Sequence, residues 1–327
     1  MTILEKLTRF VRDLFKTSLE IFYEALRHSP NAQGYIGGSI SELLLKKKLE
    51  EEFSFEVKRI REKWEGRKHA QHHGDFYIRE TATSPWFVIE AKGVKSNSEK
   101  WHKLYNFKGL KSFMINNAEL LPWVDQSASL EDQIISWIRT NLPKYEREYL
   151  TDLYDYEEMQ KYLKNKPKGI TEKRRQMESL QDLSRDQISQ MIDERLNYVM
   201  SKIKVLETHF VSGTSGSSDR TQATPRKDEF NIICIDIVLR YNDHKFLFAN
   251  PKQLDSSEDD PNHLKQNYIV GFVLTDQSGR ELLGLSDEWS DDFMEVYQTL
   301  DEDDSIGEED MQVDTRFKVS NELDGEG

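Results

Sequence analysis

Apolar positions recur at helical spacing from the start of the chain. Leu4, Leu7, Val11, Leu14, Phe22 and Leu26 predict an amphipathic helix over about residues 3–27, its apolar stripe in the core, ending before Ser29-Pro30. Asn31–Gly38 is rich in turn residues and reads as a connector. Ser39-Ile40-Ser41-Glu42 then carries a helix start, with Ser39 as N-cap and Glu42 as the N3 partner of a capping box. Leu43, Leu44, Leu45 and Leu49 follow on a buried face. After a short extended piece near Phe53–Val57 and a basic stretch from Lys58 to Lys68, the pattern changes to strands at 74–80 and 86–92, separated by Thr81-Ala82-Thr83-Ser84. Helical spacing returns at about 98–116 and 129–142, and again from Ser184 through Ile188, Met191, Ile192, Val199 and Ile203. Residues 212–228 have no apolar periodicity and read as a long flexible loop. β-type runs follow at 230–241, 245–250 and 267–275.

This order of elements predicts an α/β fold with a central mixed sheet flanked by helices. A hydrophobic fraction of 37% suffices for a core, and no apolar run approaches the length of a membrane span. The N-terminus shows no signal-peptide pattern, so the expected compartment is the cytoplasm. The single cysteine, Cys234, lies in an apolar run, which excludes an intrachain disulfide framework and a cysteine metal site.

The net charge of −14 is unevenly spread. Residues 1–120 carry 21 Lys/Arg against 16 Asp/Glu, whereas residues 211–327 carry 10 against 27. The acid is thus a property of the C-terminal third; between Asp287 and Asp310 there are 12 Asp/Glu and no Lys/Arg. Phosphate binding depends on local basic surface, so the total does not exclude nucleic acid as a partner.

The candidate chemistry lies in the hairpin. Folding residues 74–92 about the loop 81–84 pairs positions that sum to about 165, which sets Phe76 against Ile89, Tyr77 against Val88 and Asp75 against Glu90. Strand alternation puts Glu90 and Lys92 on one face, so that face presents two carboxylates and an amine. A slip of one residue would part the carboxylates. Opposed carboxylates repel, and a divalent cation with oxygen ligands removes the penalty; Mg²⁺ is usually held by one or two carboxylates together with substrate phosphate.

Gly74-Asp75-Phe76-Tyr77-Ile78 followed by Phe87-Val88-Ile89-Glu90-Ala91-Lys92 resembles the bipartite motif of the PD-(D/E)xK nucleases, including many type II restriction endonucleases. The resemblance covers Ser39 to Lys92. It implies a restriction-endonuclease-like sheet, Mg²⁺ as cofactor, Asp75 and Glu90 as metal ligands with the backbone carbonyl of Ala91, and Lys92 as the catalytic lysine. Glu42 matches the acidic residue that many members carry on the preceding helix, although a helix cap is a sufficient structural role for it. Gly74 stands where the family usually has proline. The helix after Lys92 lacks the Gln-x-x-x-Tyr signature of the RecB-like branch, which favours the restriction type.

On this reading residues 1–275 form the nuclease domain, with a helical insertion at about 120–205 and the loop 212–228, and residues 276–327 form an acidic segment, largely disordered after about 300. Double-stranded DNA is the expected substrate, and a homodimer the expected form for cutting both strands of a palindrome. Lys58, Arg59, Arg61, Lys63, Arg67 and Lys68, with Arg220, Arg226 and Lys227 in the loop, are candidate DNA contacts, against the plain alternatives of a solvated face and a linker. His69, His72 and His73 have no cysteine support and read as structural or phosphate-facing, and Tyr145, Tyr149, Tyr154, Tyr156 and Tyr162 as packing residues. The rival readings are a repair or structure-selective nuclease of the same superfamily, and a non-catalytic DNA-binding or interaction protein with a chance E-x-K.

Overall fold

A computed structural model describes residues 1–61, 74–94, 107–125, 127–143, 190, 194, 197–210, 224–241, 243–258 and 260–315. Its strands are β1 (Glu56–Arg59), β2 (Phe76–Arg79), β3 (Phe87–Gly93), β4 (Ile203–His209), β5 (Ile232–Asp236), β6 (Phe246–Ala249), β7 (Asn267–Thr275) and β8 (Glu281–Leu285). Its helices are α1 (Ile3–Phe15), α2 (Leu19–Arg27), α3 (Pro30–Glu51), α4 (Phe107–Ile115), α5 (Leu130–Asn141), α6 (Val238–Tyr241) and α7 (Phe293–Tyr297). The fold is mixed α/β. The chain forms two compact units, one of residues 1–93, 229–236 and 301–327, the other of 94–228 and 237–300. This division differs from a single domain over 1–275 followed by a separate acidic segment.

Four of the five strands of a mixed sheet belong to the first unit, in the order β1-β2-β3-β5. β1, β2 and β3 are antiparallel neighbours, and β3 pairs in parallel with β5, Glu90 beside Ile233 and Lys92 beside Ile235. β5 is buried along its whole length, as a strand covered on both faces must be. α3 packs on this sheet through Leu45 and Leu49, both fully buried. Each such leucine contributes roughly 1.5–3 kcal/mol.

α3 corrects two expectations. Ser29 is its N-cap, accepting from the Ala32 N–H, and Pro30 opens its first turn. The helix then runs unbroken through 31–38 to Glu51, so Ser39 is not a cap and Glu42 is not an N3 partner. A capped start with proline at N1 outweighs the weak helix propensity of Gly34, Gly37 and Gly38. The N-terminal helix is also divided. Lys16 adopts a left-handed conformation with φ 56°, and Ser18 caps α2. Nor is that region core, since Val11 is the one buried residue of α1 and α2.

The acidic segment, expected to lack structure after about 300, is tied to the first unit as far as Asp314. Ile306 bridges Trp86, and Val313 bridges Ile60. The Arg61 N–H donates to the Gln312 carbonyl (2.9 Å), and the Asp314 N–H to that of Arg59 (2.8 Å). Glu308 accepts from Arg79 (3.0 Å) and from the Trp86 indole (3.1 Å), while Lys58 and Arg79 lie over the Trp86 ring. Glu308 thus meets a cation and an indole donor, and the segment's backbone pairs beside an edge strand that would otherwise be open.

The second unit packs α4 and α5 on the antiparallel sheet β4-β7-β8. Leu110, Phe113, Ile134, Ile138, Val205 and Phe272 lie at the centre of its core. β4 departs from the helical reading of residues up to 203, and β8 and the short helix α6 lie where no separate elements were expected. No helix among the described residues is long and apolar enough to cross a membrane.

Candidate functional site

The hairpin takes the register that alternation gives, with Phe76 opposite Ile89, Tyr77 opposite Val88 and Ile78 opposite Phe87. Backbone bonds flank Asp75: its N–H donates to the Ile89 carbonyl, one residue out of step with the β2–β3 register, and the Ile60 N–H donates to the Asp75 carbonyl, both at 2.9 Å. Asp75 is thereby fixed by backbone on both sides. Gly74 is required here. A Cβ on it would lie 2.3 Å from Val88 Cγ1 and 3.0 Å from the Ile89 carbonyl oxygen, which accounts for glycine at this position.

Asp75, Glu90 and Lys92 come together. Asp75 Oδ2 accepts a 2.7 Å hydrogen bond from the Ala91 N–H, and Glu90 is hydrogen-bonded to the Asp75 carboxyl and ion-paired with Lys92. Burial, then the neighbouring Glu90 charge, push the Asp75 carboxyl up to about 7. Burial also raises Glu90, against the pull of Lys92. For Lys92, burial favours the neutral amine, but Glu90, Asp75 and Glu42 outweigh it and raise the value, so the side chain stays cationic. Two half-buried carboxyls in hydrogen-bond contact, with one amine to offset them, form an underneutralised set.

Glu42 contributes to the potential at Glu90 and Lys92, but its carboxylate is held by Arg59 at 2.7 Å. Among the described residues no three His, Cys, Asp or Glu side chains form a group able to hold a metal ion. The two carboxylates nonetheless fit a hard cation that keeps most of its waters. The Ala91 carbonyl adds a third oxygen, because N–H and C=O of one strand residue point to the same neighbour and the Ala91 N–H already points at Asp75.

The candidate DNA contacts fare differently. Arg59 is engaged with Glu42, Lys58 with Glu56 (3.1 Å) and the Trp86 ring, and Arg61 is placed by its backbone bond to Gln312. Arg226 pairs with Asp228 (2.6 Å), and the Lys227 ammonium donates to the Leu254 carbonyl. Both residues belong to an ordered end of the expected loop, where Arg226 bridges His263. Lys63, Arg67, Lys68, His69, His72, His73 and Arg220 lie outside the described residues, as do Tyr145, Tyr149, Tyr154, Tyr156 and Tyr162.

Sequence reasoning missed Asp236. It is buried at the end of β5, opposite Gly93, and accepts a 2.5 Å hydrogen bond from the Ser41 hydroxyl of α3. The available signal was one acid inside the apolar run Ile232–Ile237. The chain matches no family model, and no curated protein or solved structure matches it.

Proposed function

We propose that this protein is a Mg²⁺-dependent endonuclease of the PD-(D/E)xK kind that hydrolyses double-stranded DNA in the manner of a type II restriction enzyme. The observation that carries this reading is the hydrogen-bonded pair of half-buried carboxyls Asp75 and Glu90, both raised, beside a cationic Lys92. Resemblance of the motif supplies the reaction class, and the described sheet, with antiparallel β1-β2-β3 and parallel β5, is compatible with it.

Asp75, Glu90 and the Ala91 carbonyl would hold the cation. When bound it supplies Lewis acidity at phosphorus and offsets the charge of the two carboxylates. Asp75 is kept in place by the Ala91 N–H, and Glu90 by Lys92. The Lys92 ammonium would orient a water toward phosphorus and stabilise charge that develops on the phosphate oxygens. Glu90, then Asp75 and Glu42, keep Lys92 protonated, and Arg59 holds Glu42 at the edge of the site. Incubating the protein with plasmid in Mg²⁺, with and without EDTA, tests the reading. Discrete fragments that EDTA abolishes are expected. A smear would indicate a nuclease without sequence preference, and intact plasmid would exclude the proposal.

A further inference from the structure

Midway along its length, α3 passes from solvent onto the sheet. Residues 33–40 are exposed, and Ser41 and Glu42 are the first after them to be half-buried. From Ser41 the inward stripe continues at four-residue spacing through Leu45 and Leu49, both fully buried. The two leucines seat the helix by apolar packing. Ser41 and Glu42 instead make directed polar contacts, each with a different strand. The Ser41 hydroxyl donates to Asp236 at the end of β5 (2.5 Å), and the Glu42 carboxylate pairs with Arg59 at the end of β1 (2.7 Å).

β1 and β5 flank the hairpin of β2 and β3 in the sheet. Since β1, β3 and β5 run in the same direction, Arg59, Lys92 and Asp236 lie toward one end of it. Consecutive residues of α3 are thus tied to the strands on either side of the hairpin that carries Asp75, Glu90 and Lys92. The buried Cys234 thiol is pushed up by burial and then by the charges of Asp236 and Asp75, so both acids act on one thiol.

We propose that Asp236 is a positioning residue: through Ser41 it fixes α3 so that the Glu42 carboxylate stays beside Glu90 and Lys92, where its charge helps the site take a divalent cation. The inference rests on the nuclease reading of that site. Two arguments select this role over plain helix packing. A buried carboxylate is a costly means of adhesion where Leu45 and Leu49 are already seated, whereas one directed hydrogen bond sets the rotation of the helix. The second concerns reach. The charge of Glu42 acts at Glu90 and Lys92, yet Arg59 holds it through a long side chain with many rotamers. Ser41 and Asp236 are short, so their bond ties helix to strand with far less freedom.

Melting of the full chain at pH 8 over a series of Mg²⁺ concentrations tests the proposal. The melting temperature without Mg²⁺ reports the fold, and its rise with Mg²⁺ reports affinity. Ser41→Ala is expected to need about 10-fold more Mg²⁺ for the same rise, the scale of an outer partner of a metal site. Ser41→Thr keeps the hydroxyl and should restore the wild-type response. In a Glu42→Gln background, Ser41→Ala should change the requirement by less than about 2-fold, because its action passes through Glu42. Asp236→Ala should match Ser41→Ala; if it does not fold, the Ser41 series decides. An unchanged Mg²⁺ response in Ser41→Ala, whatever its melting temperature, would reduce the bond to a structural tie and overturn the proposal. An equal loss in the Glu42→Gln background would do the same. Plasmid incubated with these proteins separates the two readings. A Mg²⁺ response that depends on Ser41, with plasmid left intact, overturns the nuclease reading and keeps the role of Asp236. Cutting with a Mg²⁺ requirement untouched by Ser41→Ala does the reverse, and a wild type whose melting ignores Mg²⁺ overturns both.

Discussion

A carboxyl with an ordinary value of 3.8 and a folded value of about 7 holds a proton in the folded chain throughout the interval between them. The unfolded chain has lost it there, so the folded state binds more protons and stability falls as pH rises from about 4 to about 7. Asp75→Asn should remove that slope and make the metal-free protein more stable at pH 8, on the order of 2–4 kcal/mol. Urea unfolding at pH 5 and pH 8 measures both effects, and identical pH slopes in the two proteins would contradict the electrostatic account. The same repulsion predicts that Mg²⁺ raises the melting temperature of wild type more at pH 8 than at pH 5, and that Asp75→Asn loses this response. Cleavage should also increase as pH rises through about 7, as the Asp75 carboxyl becomes free to hold the cation. This cluster was legible in the sequence because the short loop at 81–84 fixes the register of the hairpin. Glu42 was not. Its expected role depended on a helix beginning at Ser39, and nothing local to Glu42 reveals that α3 begins at Pro30 or that Arg59 comes to meet it.

At the scale of elements, the acidic strap 301–314 is the largest departure from expectation. Its charge reads as solvated, and the apolar residues that anchor it, Ile306 and Val313, are too sparse to form a periodic signal. Truncation after Leu300 should strip Trp86 and Arg79 of Glu308, deprive the Tyr77 hydroxyl of its bond from the Gln312 N–H (3.0 Å) and remove the bridges of Ile306 to Trp86 and of Val313 to Ile60. The expected loss is about 3 kcal/mol or more, read by chemical denaturation. An unchanged midpoint would show that the strap adds nothing to stability. Gly74→Ala is the sharper local test. Its methyl group is directed into Val88 and the Ile89 carbonyl, so the hairpin must open beside Asp75, with a predicted loss of about 1–3 kcal/mol. Strands β2, β3, β5 and β7 were legible because β-branched and aromatic runs are bounded by turn residues. β4 was missed because the helical spacing stops at Ile203 and Val205–Thr208 are buried in succession, with a register shift between Leu206 and Glu207, so the run shows no alternation.

For the whole molecule, the order of elements gave the α/β class but not the division into two units. The first unit is assembled from three separated stretches of chain, and pairings between residues far apart in sequence leave no periodic trace. Charge was a better guide when divided along the chain than when summed, yet the described cations are largely engaged within the fold. The central claim is therefore best tested at the phosphodiester bond. Plasmid cleavage rates in Mg²⁺ should be compared for wild type and for Asp75→Asn, Glu90→Gln and Lys92→Ala, each verified as folded by circular dichroism. The account predicts cutting by wild type that EDTA stops and a loss of at least about 100-fold in every variant. Plasmid left intact by folded wild type, or cut at wild-type rate by all three variants, would contradict it.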